Sequence, residues 1–87
     1  MAKPSQLGRW LRQWRRERGW SLRELAGACG LYHKTLTAWE TGERRNPSIF
    51  HFARAVDPLN YDIWIVDRER CVLVERIDPY AADDDGE

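Results

Sequence analysis

Long apolar runs are missing from this 87-residue sequence, and cysteine is nearly so. A membrane-spanning helix needs roughly 18 or more consecutive apolar residues; the longest runs here, Ile63 to Val66 and Cys71 to Val74, are far shorter. The N-terminus leads through Lys3, Pro4 and Gln6 into a charged amphipathic segment without the apolar stretch of a secretory signal, so a cytoplasmic protein is expected. The two cysteines, Cys29 and Cys71, lie far apart and form no C-x-x-C pair, which argues against a disulfide framework or a zinc knuckle. Both are read as small buried hydrophobes. Cys29 and His33 have a spacing that places two candidate metal ligands near each other, but His51 and Cys71 complete no metal-site pattern, so neither a metal nor a cofactor is expected. The sequence also lacks a phosphate loop, a G-x-S-x-G elbow and a Cys/His pair with an orienting acid. The expectation is a protein that is not an enzyme.

What is present fits one small domain. Hydrophobic residues make up 43% of the chain and include five tryptophans, enough for a compact core that a second copy would usefully supplement, so a dimer is expected. The formal net charge of zero conceals a division. Residues 1–60 carry eleven Lys and Arg against five acids, a surplus of six positive charges; residues 61–87 carry three Arg against nine acids, a surplus of six negative ones. The first part attracts phosphate and the second repels it.

Periodicity divides the first part into four helices. Between Ser5 and Arg18, Leu7, Leu11 and Trp14 form one apolar face, with Arg9, Arg12, Arg16 and Glu17 on the solvated faces, and Gly19 stops the helix. Ser21 with Glu24 three residues on is a capping box, and Leu22, Leu25 and Ala26 supply the stripe of a short second helix ending at Gly30. A third begins near Tyr32, turns Leu36 and Trp39 inward and stops at Gly42. After the charged loop Glu43 to Asn46, Pro47 is expected at the first position of a fourth helix with the stripe Ile49, Phe50, Phe52, Ala53 and Val56, closed by Pro58 and Asn60. The period then changes to two. Tyr61, Ile63 and Ile65 alternate with Asp62, Trp64 and Val66, and after polar Asp67 to Arg70 comes the β-branched stretch Cys71 to Ile77, which reads as a β-hairpin over 61–77. Residues 78–87, with Pro79 and three consecutive Asp, read as a disordered acidic tail. The predicted fold class is mainly α: four helices containing a helix-turn-helix, followed by a two-stranded β-hairpin.

The segment Ser21 to Gly42 concentrates the mechanical features of such a motif. Ala26 is small where two helices cross, Gly30 permits a tight turn, and Leu25, Leu31, Leu36 and Trp39 wedge the helices apart. The outer face of the third helix is then His33, Lys34, Thr37 and Ala38, short and cationic side chains suited to a groove about 12 Å wide. With Arg15, Gly19, Ser21, Glu24-Leu25-Ala26, Gly30, Thr35-Leu36, Glu40, Gly42 and Pro47 in register, residues 5–57 resemble the Cro/repressor (Xre) family of helix-turn-helix regulators.

That resemblance implies double-stranded DNA as a partner and the third helix as the recognition helix. Lys34 would meet guanine O6 and N7, His33 would donate or accept, and Thr37 and Ala38 would meet a thymine methyl. Ser21, Arg23, Tyr32, Thr35, Arg44 and Arg45 would contact the DNA backbone. Arg15 and Glu40 would form a scaffold ion pair. The chain departs from the family at Tyr32, where a capping Ser or Thr is usual, and at Leu22, where Gln is usual. Arg9, Arg12 and Arg16 read as a solvated face, and Trp14, Trp20 and Trp39 as core. Trp10, beside the helix 1 stripe, reads as a core edge or as a contact with the C-terminal strands or a partner. His51 reads as an ordinary helix residue.

Regulators of this family commonly act as two-fold dimers on palindromic operators, and the resemblance therefore implies a repressor or autoregulator of the kind phages and mobile elements carry. The hairpin is the candidate dimer surface through Ile63, Trp64, Ile65, Val66, Val72 and Val74, one face packing on helices 1 and 4 and the other, or an open edge, meeting the second copy. In joining such a domain to C-terminal β structure the chain is also similar to HipB-type antitoxins, which makes a toxin the alternative protein partner. Asp83 to Glu87 would then be either a partner-binding peptide or a solubilising end.

Overall fold

The computed structural model describes residues 3–44 and 47–80. Helices α1 (Gln6–Glu17), α2 (Leu22–Cys29), α3 (His33–Thr41) and α4 (Ile49–Val56) are followed by strands β1 (Trp64–Asp67) and β2 (Val72–Arg76) in an antiparallel pair. Three of the four helices begin on a serine. The hydroxyl of Ser5 accepts from the Gly8 N–H (3.3 Å), that of Ser21 from Glu24 (3.0 Å) and that of Ser48 from His51 (3.1 Å), each satisfying one of the amides a helix start leaves open. Pro47 therefore lies outside α4, not at its first position: Ser48 gains a cap bond there, and proline's fixed φ sets the approach of the chain.

The helices bury one leucine or valine each at a common centre, Leu11, Leu25, Leu36 and Val56, all essentially inaccessible. Trp39, Phe52 and Leu59 complete this core, with Leu7, Trp14, Trp20, Leu22 and Leu31 packed around it. α3 lies against α1 and α2, and α4 against α2 and α1. At the crossing of α1 and α3, Gly8 is so close to the Trp39 carbonyl that a Cβ there would overlap the oxygen. Gly42, at φ 91°, lets the chain leave α3 close against the backbone of Lys3 and Pro4.

After α4, Asn60 turns the chain through a positive φ of 73°, and Tyr61 stacks on Trp14 with ring centroids 4.5 Å apart. The Ile77 N–H donates to the Ile63 carbonyl (2.8 Å), closing the base of the hairpin. Trp64 then pairs with Arg76, Ile65 with Glu75, Val66 with Leu73 and Asp67 with Val72; the shift between the second and third pairs leaves Val74 as the extra residue of a β-bulge. In the turn the Asp67 carboxylate accepts from the Glu69 and Arg70 amides (3.0 and 3.2 Å).

Three expectations change here. Cys71 is exposed, because it ends the turn at φ 59° and does not enter the strand, whereas Cys29 is buried in the core. The hairpin expected over 61–77 meets α1 and α4 only at its base: Tyr61 and Ile63, ahead of β1, pack on the helices and Trp64 lines the groove between them, while the strands run on past with every residue of β2 exposed. Asp78 to Tyr80, expected to open the acidic tail, lie against α4. Pro79 is buried and its carbonyl accepts from Arg54 Nε (3.4 Å), the Arg54 guanidinium sits 5.3 Å from the Tyr80 ring, and the Tyr80 hydroxyl donates to Asp57 (3.2 Å). Residues 81–87 lie outside the described residues.

Candidate nucleic-acid interface

The turn between α2 and α3 is made by Gly30, at φ 74°, whose N–H closes α2 on the Ala26 carbonyl (3.0 Å). α3 is then fixed from behind. Arg15, from the last turn of α1, donates through Nε and Nη2 to the two carboxylate oxygens of Glu40, both at 2.9 Å, and through Nη1 to the Trp20 carbonyl at 2.7 Å. Both side chains are at most 10% exposed. The hydrogen bonds of Glu40 hold the guanidinium pKa above its ordinary value, outweighing the burial that would lower it. One charge-paired fork thus ties α1 and the turn after it to the C-terminal end of α3.

On the outer side of α3 the surface is concave, about 640 Å³ in volume, with His33, Lys34 and Thr37 along the helix and Arg23 of α2 facing Arg44 across it. Thr35 belongs to the same wall, and beside it Tyr32, 84% exposed, joins Arg23 and Lys34 around a second depression. The structure therefore collects eight of the expected DNA-contacting residues, Ala38 among them, on one side of the molecule. The Thr37 hydroxyl donates back to the His33 carbonyl (2.9 Å), leaving its methyl and oxygen lone pairs outward. Ala38 is the floor of the concavity, only 8% exposed, and so offers breadth to an incoming group, not a projecting contact. Ser21 stands apart in role: its hydroxyl accepts from Glu24 while its own N–H donates to the Glu24 carboxylate (2.8 Å), completing the cap of α2. These two bonds, the backbone one foremost, hold the Glu24 pKa below its ordinary value. Arg45 lies outside the described residues.

Two residues of this surface escaped the sequence reading. Glu43 lines the concavity beside Arg44, placing an acid where the cations gather. His51, exposed on the first turn of α4, lines a further depression with Tyr32 and Arg44. Glu43 follows α3 in the charged loop and His51 lies on the exposed side of α4, and neither loop composition nor helical period carries a signal that they line this surface. Tyr32 caps α3 in an extended conformation but makes no side-chain cap bond, unlike the serines of the other three helices.

The family model for a helix-turn-helix domain matches residues 6–63. The chain belongs to this family, as a regulator of the Cro/repressor (Xre) type. Among solved structures, it is similar to the crystal structure of SinR, the master regulator for biofilm formation, in complex with DNA. The two share 33% sequence identity and superpose with a TM-score of 0.60, over 62% of this chain and 86% of that one. No curated protein matches the sequence. Membership identifies a DNA-binding regulator, of a family whose members are typically not enzymes. The family match ends at Ile63, one residue before β1, so both strands of the hairpin lie outside the matched residues. Among the described residues no helix is long and apolar enough to cross a membrane.

Proposed function

We propose that the chain is a sequence-specific repressor or autoregulator that binds a palindromic operator as a homodimer, with α3 of each protomer in the major groove. His33, Lys34 and Thr37 read base edges, over an Ala38 floor that admits a thymine methyl. Arg23, Tyr32, Thr35, Arg44 and Arg45 hold the phosphates, and the amides at the start of α2, around Ser21, assist them. The two-fold is made through the hairpin residues Ile63, Trp64, Ile65, Val66, Val72 and Val74, and sets the recognition helices about one DNA turn, roughly 34 Å, apart. The observation that carries this reading is the single concave surface lined by His33, Lys34 and Thr37 between Arg23 and Arg44, backed by the buried Arg15–Glu40 fork.

Selection from random duplexes should yield an inverted repeat with half-sites about one turn apart. On that site, Lys34→Ala and His33→Ala should each lose about 1–3 kcal/mol of discrimination against random DNA. Arg44→Ala and Arg45→Ala should weaken both DNAs alike and lower the log–log salt slope by about one each. Equal losses on both DNAs for all four variants would refute the division of roles. The bare hairpin, outside the family match, also supports a second reading, an antitoxin whose hairpin engages a toxin; co-purification of a neighbouring gene's product with the wild-type chain, lost on Leu73→Glu, would favour it.

A further inference from the structure

Among the described residues, two apolar surfaces are bare. The first is a groove of about 370 Å³ between α1 and α4, floored by Leu7, Trp14 and Phe52. Its rims are Trp10, Ile49 and Trp64, which are 38%, 48% and 41% exposed. Trp14 is held in the floor by stacking on Trp10 (5.6 Å) on one side and on Tyr61 (4.5 Å) on the other, so the groove is preformed. The second surface is the hairpin, where Ile65, Val66, Val72, Leu73 and Val74 are 47–59% exposed. A two-stranded hairpin is marginal by itself and needs a third partner for its apolar side chains.

The chain cannot bring these surfaces together within one molecule. β1 starts at Trp64, on the groove's own wall, and the strands lead away from it. We infer that the groove between α1 and α4 receives the hairpin of a second copy, each protomer's hairpin lying in the other's groove. The inference deepens the proposed homodimer and rests on it.

Three observations favour a second copy as the occupant. Both halves of the contact are present on one chain, so a two-fold axis satisfies both at once. The areas fit: the half-exposed hairpin side chains amount to roughly 600 Å² and the rims Trp10 and Ile49 to roughly 200 Å², together close to the roughly 800 Å² per partner of a standard interface. The charges permit it: within residues 64–76 three acids, Asp67, Glu69 and Glu75, balance Arg68, Arg70 and Arg76, so the incoming hairpin brings no net charge to a groove lined almost wholly by apolar side chains.

The test is light scattering on the full chain at micromolar concentration, with far-UV circular dichroism confirming that each variant is folded. Wild type should have twice the 10.3 kDa chain mass. Ile49→Glu on the groove rim and Leu73→Glu on the hairpin, both at exposed positions, should each raise the dissociation constant at least tenfold, and Trp10→Ala should repeat the groove result. An equimolar mixture of Ile49→Glu and Leu73→Glu should recover a dimer, since the heterodimer retains one intact hairpin in one intact groove. A dimer indifferent to Ile49→Glu and Trp10→Ala, broken by Leu73→Glu and unrescued by mixing would mean edge-to-edge hairpins, overturning this inference while leaving the homodimer standing. A wild-type monomer would overturn both, and the DNA contacts of α3 would remain to be judged by the binding assays.

Discussion

Glu40→Ala isolates the element that aims α3. The substitution removes both acceptors of the Arg15 fork, two charge-assisted bonds at 2.9 Å, and leaves a guanidinium of 10% exposure with the Trp20 carbonyl as its remaining partner. Breaking one side of a buried pair typically costs about 3–5 kcal/mol, because the remaining charge has lost its compensation. The retained Trp20 bond puts the expected loss near the lower end, about 3 kcal/mol. At about 0.05–0.15 kcal/mol per residue, a chain of this length has about 4–13 kcal/mol in total, so the variant should lose a large fraction of its stability. Urea unfolding followed by circular dichroism, with a slope of about 1 kcal/mol/M, should show the midpoint falling by about 3 M. Glu40→Gln, which keeps shape and one acceptor, should lose about half as much. The double variant Arg15→Met with Glu40→Leu buries no charge and should lie within about 1 kcal/mol of wild type. A loss below about 1 kcal/mol for Glu40→Ala would place the pair with exposed ion pairs and refute the claim that it fixes the recognition helix.

Gly8→Ala should cost about 1–3 kcal/mol in the same urea assay despite alanine's better helix propensity, since the new methyl overlaps the Trp39 carbonyl and must separate α1 from α3; a stabilised variant would show that this crossing is loose. The capping box makes a pH prediction. The Glu24 pKa is depressed in the folded state by the Ser21 N–H and hydroxyl, so its contribution is present above the carboxyl's unfolded value and is lost as pH falls through the folded one. The melting temperature of Glu24→Gln should therefore lie below that of wild type at neutral pH and converge with it in strong acid, whereas a constant gap would refute the linkage. Of the two thiols, Cys71 should react promptly with Ellman's reagent and Cys29, buried and with its pKa raised chiefly by desolvation, only on unfolding; two prompt equivalents would contradict the burial of Cys29.

The helical part of the fold was legible because its signals are local. Ser21 with Glu24, and the glycines at 30 and 42, mark ends by chemistry that acts within one turn, and Leu11, Leu25 and Leu36 fall on helical stripes. Leu59 was invisible as core because it follows α4, where no period applies. The hairpin's existence was legible from its alternation, but its placement was not. Alternating apolar residues indicate that a face is meant to be covered without saying by which molecule; the expectation gave one face to helices 1 and 4 and the other, or an open edge, to a second copy, and the strands themselves lie beyond the helices. The bulge at Val74 also breaks the alternation that would sort β2 into two faces. At the candidate interface, Lys34, His33 and Thr37 were found by helical spacing and by resemblance, whereas Glu43 lines the surface because Gly42 and the Arg44 amide bonding the Ala38 carbonyl (3.1 Å) turn the chain there, and His51 lines a separate depression from α4.

The uncapped start of α3 acquires meaning from the contrast with its neighbours. A serine cap contributes about 1 kcal/mol, and this chain uses one at every helix except the one proposed to enter DNA. Tyr32 forgoes that contribution: its carbonyl accepts from the Thr35 amide (3.0 Å), while its side chain offers no acceptor to the His33 and Lys34 amides, at the end of the helix where the dipole favours an anion. On the proposed reading a phosphate oxygen takes the place of the missing hydroxyl, so the helix is completed by its target. Tyr32→Ser supplies the absent cap and separates the two roles of this position. It should raise stability by about 1 kcal/mol in urea while weakening operator and random DNA equally, because a protein acceptor then occupies amides that a phosphate would otherwise use. Added stability with unchanged DNA affinity would show that the open amides of α3 play no part in binding.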